Sequence, residues 1–291
     1  MSDGPGALSG QQAAGLLGPQ QALNRASAGA WGVFQPHRAQ VTALLAADEP
    51  GGGLCVLGAG NCNDLDLPTL LARHGRAVLV DLDLAAMEAG VARQGLARDP
   101  RLRLHALDVT AVGRRLQAWA AGEPVTDEDL RAGATQPARA IPPVLGERFA
   151  VVGSTCLLSQ IIDAAASALG ETHPRFPDVL RSLRSGHLRL LAALTRPAGE
   201  AVLITDLLSS DTCPEIDTAP PAELPRVLVA AIARRNFFSG LNPAVVLDAT
   251  ERDPELRPVL RQAELRPPWL WDLGPRRYAV YAIRLSLGSG E

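Results

Sequence analysis

The stretch CVLGAGNCNDLDLP, Cys55 to Pro68, decides how this chain is read. An apolar run leads into Gly58 and Gly60, and polar residues with a helical pattern follow. A strand that turns on two close glycines lets a ligand reach the backbone at the mouth of a helix. A dinucleotide fingerprint, G-x-G-x-x-G, needs a third glycine at position 63, where this chain has Asn63. Asp64 opens the predicted helix and sets a negative charge where a pyrophosphate would need the positive helix end. The turn therefore suits a cationic or neutral ligand.

Outward from this turn, short apolar runs alternate with helical patterns, the rhythm of a layered α/β domain. Leu54–Leu57 reads as the first strand, followed by a helix over about residues 64–74. AVLVDLD (77–83) is an apolar run closed by acids, the pattern of a buried parallel strand. A helix over 85–94 follows, then LRLHALDV (102–109), FAVVGS (149–154) and AVLITDL (201–207) as strands three to five, and RRYAVYAIRLSL (276–287) as a late alternating strand. QPHRAQVTALLAAD (35–48) reads as a helix with Pro36 in its first turn, ended by EPGGG, and residues 155–169 read as another. Asn242 and Asp253, each followed by proline, are expected to start two short helices. Residues 122–147, rich in Pro, Arg and Ala, read as a loop-like insertion, and residues 1–30 show no clear period.

Composition removes several classes of chemistry. All 28 basic side chains are arginine, so lysine Schiff-base, pyridoxal and ordinary P-loop chemistry are excluded. A net charge of −3 carries no basic footprint for nucleic acid. The start MSDGPGALSG lacks the pattern of a signal peptide, and no apolar run has membrane-spanning length. Cys55, Cys62, Cys156 and Cys213 are scattered without metal-type pairing, which fits free thiols in a reducing cytoplasm and no metal.

The series of elements resembles the class I S-adenosylmethionine-dependent methyltransferases over roughly residues 50 to 287. VLGAGNC is similar to the family's glycine-rich motif, whose backbone wraps the methionine part of the cofactor. Asp81, 21 residues after Gly60, matches the acid that holds the ribose hydroxyls. Asp108, with Val109 beside it, matches the acid that reads the adenine amino group. FAVVGSTCLLSQ resembles the motif that places Gly153 and Ser154 at the reactive end, and RRYAVYAIRL resembles the antiparallel last strand. The resemblance implies a Rossmann-like, mostly parallel α/β sheet with helices on both faces and an antiparallel final strand. It implies a helical N-terminal cap over 1–48 and a core over 49–291 with a helical insertion at about 209–262. It also implies S-adenosylmethionine as cofactor, held by Gly58, Ala59, Gly60, Asn61, Asp64, Asp81, Leu82, Asp108, Val109, Gly153 and Ser154. Val56 and Cys62 stand where the family often has an acid and a glycine, and the ammonium-holding task then passes to Asn61 or Asp64.

Methyl transfer relies on positioning more than on a dedicated catalytic group. His37 is the candidate base, Trp31, Phe34 and His37 are candidate acceptor-binding residues in a lid formed by residues 8–40, and residues 209–262 are expected to close the pocket with it. Cys62 reads as a small packing residue, His187 as a packed histidine, Arg181, Arg184 and Arg189 as a solvated face, and Trp269 and Trp271 as sheet packing. The expected partner is a small-molecule acceptor, with neither nucleic acid nor membrane. The alternatives are an aminopropyltransferase-like enzyme, a nicotinamide oxidoreductase, and a non-catalytic binding or regulatory protein on the same fold.

Overall fold

The computed structural model describes residues 14–46 and 51–290. The expected boundary between residues 48 and 49, the helix-ending Glu49 and Pro50, and residues 8–13 of the expected lid lie outside the described residues. In chain order the elements are α1 (Ala14–Ser27), α2 (Gln35–Leu45), β1 (Leu54–Leu57), α3 (Leu67–His74), β2 (Ala77–Asp81), α4 (Leu84–Arg93) and β3 (Leu102–Ala106). They continue with α5 (Gly113–Ala120), α6 (Asp127–Leu145), β4 (Phe149–Thr155), α7 (Leu157–Leu169), α8 (Phe176–Leu194) and β5 (Thr195–Ser209). The last are α9 (Glu215–Thr218), a 3-10 turn, α10 (Leu224–Ala233), α11 (Pro243–Arg252), β6 (Leu260–Asp272) and β7 (Arg277–Leu287).

The sheet has seven strands in the order β3-β2-β1-β4-β5-β7-β6, and β7 runs antiparallel to both its neighbours. This is the expected Rossmann-like, mostly parallel sheet. Side-chain alternation puts helices on both faces. Cys55, Leu57, Val78 and Val80 share one buried cluster with Ile141 of α6, Leu158 of α7, Leu188 of α8 and Val246 of α11. Leu54, Val56 and Leu79 meet Val41 of α2, Leu70 of α3 and Met87 of α4 on the other face. β1 pairs with β2 on one side and β4 on the other. Strand order therefore reverses at β1, and open α/β sheets bind ligands at that point, beyond the carboxyl ends of the strands.

Four sequence readings change. The first core helix starts at Leu67, because Asp66 caps it by accepting from the Thr69 N–H at 3.1 Å, and residues 61–66 form a turn. Residues 127–145 are the long helix α6 and no loop, started by a Thr126/Asp129 capping box and stopped by Gly146 in the left-handed region. Its prolines made the segment read as a loop, yet Pro137 packs inside the helix pair that α6 makes with α8. There a Cβ on Gly186 would lie 2.0 Å from the Gly133 carbonyl oxygen. Asp253 starts a turn and no helix, its carboxylate accepting from the N–H groups of Glu255 and Leu256. The chain then enters β6, an edge strand whose Pro267 and Pro268 fall at a register shift, where the ladder needs no N–H. Of the three arginines on α8, only Arg181 is solvated, at 63% exposure. Arg189 pairs with Asp253 and Glu255, and buried Arg184 donates to the Gly240 carbonyl.

The close approach that a third glycine would give the turn comes from α4 instead. A Cβ on Gly90 would lie 2.1 Å from the Asn61 carbonyl oxygen and 3.0 Å from the Cys62 Cβ. Gly90→Ala is expected to destabilise the protein by about 1–3 kcal/mol through overpacking, read as a lower denaturation midpoint. Wild-type stability in that variant would contradict the contact.

Candidate functional site

The glycine turn is fixed by β2. The N–H groups of Gly58 and Ala59 donate to the Val80 carbonyl at 2.8 and 3.2 Å. The Gly60 N–H donates to Asp81 Oδ2 at 2.9 Å, and the Asp83 N–H donates to Asp81 Oδ1 at 3.0 Å. Gly58 has φ +79, and a Cβ there would lie 2.9 Å from the Leu157 Cβ. Asp81 is thus oriented by two backbone donors, and each oxygen keeps a lone pair for a ligand. It is only 5% exposed, and burial raises its pKa above the usual carboxylate range.

A cavity of about 280 Å³ opens beside Asp81, between α1, α5 and α7. Gly58, Asp81, Leu82, Asp108 and Val109, all expected from the sequence, line it. Asp108 Oδ1 accepts from the Thr110 N–H and hydroxyl, and Oδ2 accepts from the Gly113 N–H, so one carboxylate shapes the loop into α5. Gln160 on α7 lines the wall, and its buried Oε1 has no hydrogen-bond partner. Asp81, Asp108 and Asp163 are the ionisable groups of the lining, and no arginine or histidine joins them among the described residues.

Helix α1 covers this cavity with Pro19, Gln20 and Leu23. The asparagines of the turn hold it there. Asn61 Nδ2 donates to the Asn24 carbonyl at 2.6 Å and to Ser27 Oγ at 3.0 Å. Asn63, at the third-glycine position, donates to the Ser27 carbonyl and accepts from Arg93. Trp31 belongs to this buttress, with the Arg38 guanidinium 3.6 Å above its ring. Ala59 is buried in the core. Gly153 packs on Leu45, and the fully buried Ser154 shares a 2.8 Å hydrogen bond with His187, so neither lines the cavity. His187 is packed, as expected, and burial pushes its pKa down to about 4.

A second cluster lies beyond the carboxyl ends of β1, β4 and β5. His37 stacks on Trp271 (ring centroids 4.4 Å apart), and Phe34 meets Trp271 edge-on at 5.1 Å. Trp269 donates from Nε1 to His37 Nδ1 at 3.1 Å, which assigns the histidine proton to Nε2. That N–H faces Asp64 Oδ1 at 3.5 Å. The contact is no ion pair, because burial pushes the His37 pKa down to about 3 and keeps the ring neutral. A donor ring of such low basicity does not serve as the expected base. The neighbouring carboxylates hold a proton more readily than usual. Burial and the charge of Asp206 push Asp64 up to about 7, and burial pushes Asp206 up to about 6. Asp206 accepts from Ser159 Oγ at 2.9 Å and Cys156 Sγ at 3.4 Å. Asp206, Ser159 and Gln160 were not singled out in the sequence, and Cys156 was read only as a free thiol. LITDL closes a strand with an acid just as VLVD does, and that repeated ending was the available signal for Asp206.

Unfolded, the Asp206 carboxyl releases its proton near pH 4, whereas folded it keeps it to about pH 6, so stability falls as pH rises through that window. Asp206→Asn removes this loss. The variant is expected to gain on the order of 2 kcal/mol over wild type at pH 8 and nothing by this route at pH 4, seen as a rise of a few degrees in Tm at the higher pH only. A gain equal at both pH values would contradict the buried charge.

No protein-family model and no curated protein matches the chain. Solved structures do resemble it in shape. An O-methyltransferase family protein from Burkholderia thailandensis has 14% identity and a TM-score of 0.48, over 94% of this chain and 60% of that one, so this chain spans well under the full length of that protein. The N-methyltransferase NodS from Bradyrhizobium japonicum has 11% identity and a TM-score of 0.45, over 88% and 97% of the two chains. The magnesium protoporphyrin IX methyltransferase of Synechocystis, solved with bound S-adenosylmethionine, has 10% identity and a TM-score of 0.43, over 98% and 87%. The chain has a Rossmann-like α/β fold, and these solved structures similar to it are of methyltransferases.

Proposed function

We propose that the chain is an S-adenosylmethionine-dependent methyltransferase acting on a small molecule. The charge of the ligand site carries this reading. A cavity lined by three carboxylates and no arginine or histidine among the described residues suits a ligand without phosphates. The end of α3, where a pyrophosphate would sit in a dinucleotide enzyme, already holds the Asp66 carboxylate, with Asp64 just ahead of it. S-adenosylmethionine has an ammonium, a sulfonium and no phosphate.

The residues fit its parts. Asp81 has one free lone pair on each oxygen for the two ribose hydroxyls. Asp108 and the unpartnered Gln160 Oε1 offer acceptors for an adenine amino group. The volume of about 280 Å³ suits the nucleoside portion. An ammonium needs acceptors, and the carboxylate of Asp64, whose Oδ1 has no hydrogen-bond partner, offers a charged one. The cofactor supplies an already activated methyl group. The chain's own work is to hold the acceptor in line with it and to exclude water, which α1 and the Phe34–His37–Trp271 cluster do from two sides.

Isothermal titration with S-adenosylmethionine, S-adenosylhomocysteine, NAD and NADP tests this reading, and the two adenosyl compounds are expected to bind in preference. Charge-assisted bonds to Asp81 are worth about 1.5–3 kcal/mol each, so Asp81→Ala should weaken S-adenosylhomocysteine at least about tenfold while circular dichroism shows an intact fold. Binding of NAD alone would overturn the proposal.

A further inference from the structure

Most of the glycine turn is covered by the chain itself. Gly58 lines the cavity beside Asp81, whereas Gly60, Asn61 and Asp64 do not. The last turn of α1 lies over Gly60 and Asn61 instead. A Cβ on Gly60 would stand 3.0 Å from Asn24 Oδ1 and 4.0 Å from Asp81 Oδ2. With Asn24 in place, even a methyl group is crowded there, and a chain of methylene groups has no room. Asn24 is 7% exposed and donates from Nδ2 to Asp83 Oδ2 at 3.2 Å. The Asn61 amide donates to the Asn24 carbonyl and to Ser27 Oγ. The space beside Asp81 is therefore open to a nucleoside, while the way along the turn from Asp81 to Asp64 is shut.

The closure is lightly built. Among the described residues, no side chain of α1 joins the buried apolar clusters of the core, and Leu23 is 55% exposed. Hydrogen bonds seat the last turn: the two from Asn61, the one from Asn63 to the Ser27 carbonyl at 2.8 Å, and the one from Asn24 to Asp83. Each is worth little net, because water replaces the partner when the helix lifts. A segment with few buried apolar contacts opens at low cost. Pro19, Gln20 and Leu23, earlier in the same helix, stand over the nucleoside space and not over the turn. The last turn can lift while they stay in place.

We infer that the last turn of α1 is an autoinhibitory plug in the cofactor site. Seated, it admits an adenine nucleoside with a short 5′ substituent and shuts out an amino-acid tail. The whole cofactor binds only as Asn24 and Ser27 lift off the turn. This rests on the methyltransferase reading and names a regulation of that same site. The apparent affinity for the cofactor is lowered by the fraction of molecules with the plug lifted, whereas a nucleoside binds the seated form directly.

The test is isothermal titration of the full chain with S-adenosylhomocysteine and with 5′-methylthioadenosine, which lacks the tail. In a double variant carrying Asn24→Ala and Ser27→Ala, S-adenosylhomocysteine is expected to bind at least threefold tighter than to wild type. The affinity for 5′-methylthioadenosine should change less than twofold. Asn63→Ala, which frees the Ser27 carbonyl, serves as the second variant if the first fails to fold. A gain confined to the tailed ligand is what a plug produces, since losing side chains that hold the ligand would weaken it. Unchanged or weaker S-adenosylhomocysteine in a folded variant, an equal gain for both probes, or no binding of the nucleoside to wild type overturns the plug and leaves the methyltransferase reading standing. Failure of S-adenosylhomocysteine to bind wild type and variant alike overturns both together.

Discussion

The hydrogen bond from the Gly60 N–H to Asp81 is the constraint on which the site depends. It ties the turn after β1 to the end of β2, so the backbone that meets a ligand and the carboxylate that anchors one move as a unit. Gly58 must be glycine because β4 and α7 press on it, with Leu157 and the Thr155 carbonyl within about one atomic contact of where a Cβ would stand. Gly90 brings α4 against the same loop from below. The turn is therefore clamped from both neighbouring strands and from both flanking helices. Asn61 and Asn63, free of the packing task that a glycine would have had there, extend the clamp to α1 and make the first helix part of the pocket wall.

Charge organises the rest. Asp81 closes β2, Asp206 lies near the end of β5, and Asp64 and Asp108 follow β1 and β3, so all four gather toward the carboxyl side of the sheet. Backbone or side-chain donors orient Asp81, Asp108 and Asp206, and among the described residues no arginine forms an ion pair with them. The chain spends its arginines elsewhere: on Asp253, on Glu147, and on the carbonyls that brace α1. A site kept short of cations at a cost in stability is one whose missing positive charge comes from its ligands, and the functional reading follows from that imbalance.

Much of this was legible along the chain. The strands were read from apolar runs, Gly58 and Gly60 from the turn that follows the first of them, and Asp81 and Asp108 through the family resemblance, because each is local: a strand, its last residue and the turn after it. What could not be read depends on partners far away in sequence. Trp269 fixes the His37 tautomer across 232 residues, and that bond turns an expected base into a donor. Ser154 ends a strand as expected, yet His187 takes its hydroxyl from a helix 33 residues on. The helix α6 was hidden by its own prolines, since only the shape of α8 explains why a proline-bearing helix packs there. Arg184 and Arg189 show the same limit, as helix periodicity cannot foresee that the Asp253 turn and Gly240 fold over that face.

The account's central claim is that one ligand runs from Asp108 past Asp81 to Asp64. A crystal structure with S-adenosylhomocysteine measures it directly. The account predicts the adenine between Asp108 and Gln160, both ribose hydroxyls on Asp81, and the amino-acid tail directed at Asp64 and His37. A ligand bound elsewhere, or bound in reverse with its adenine at Asp64, would contradict it.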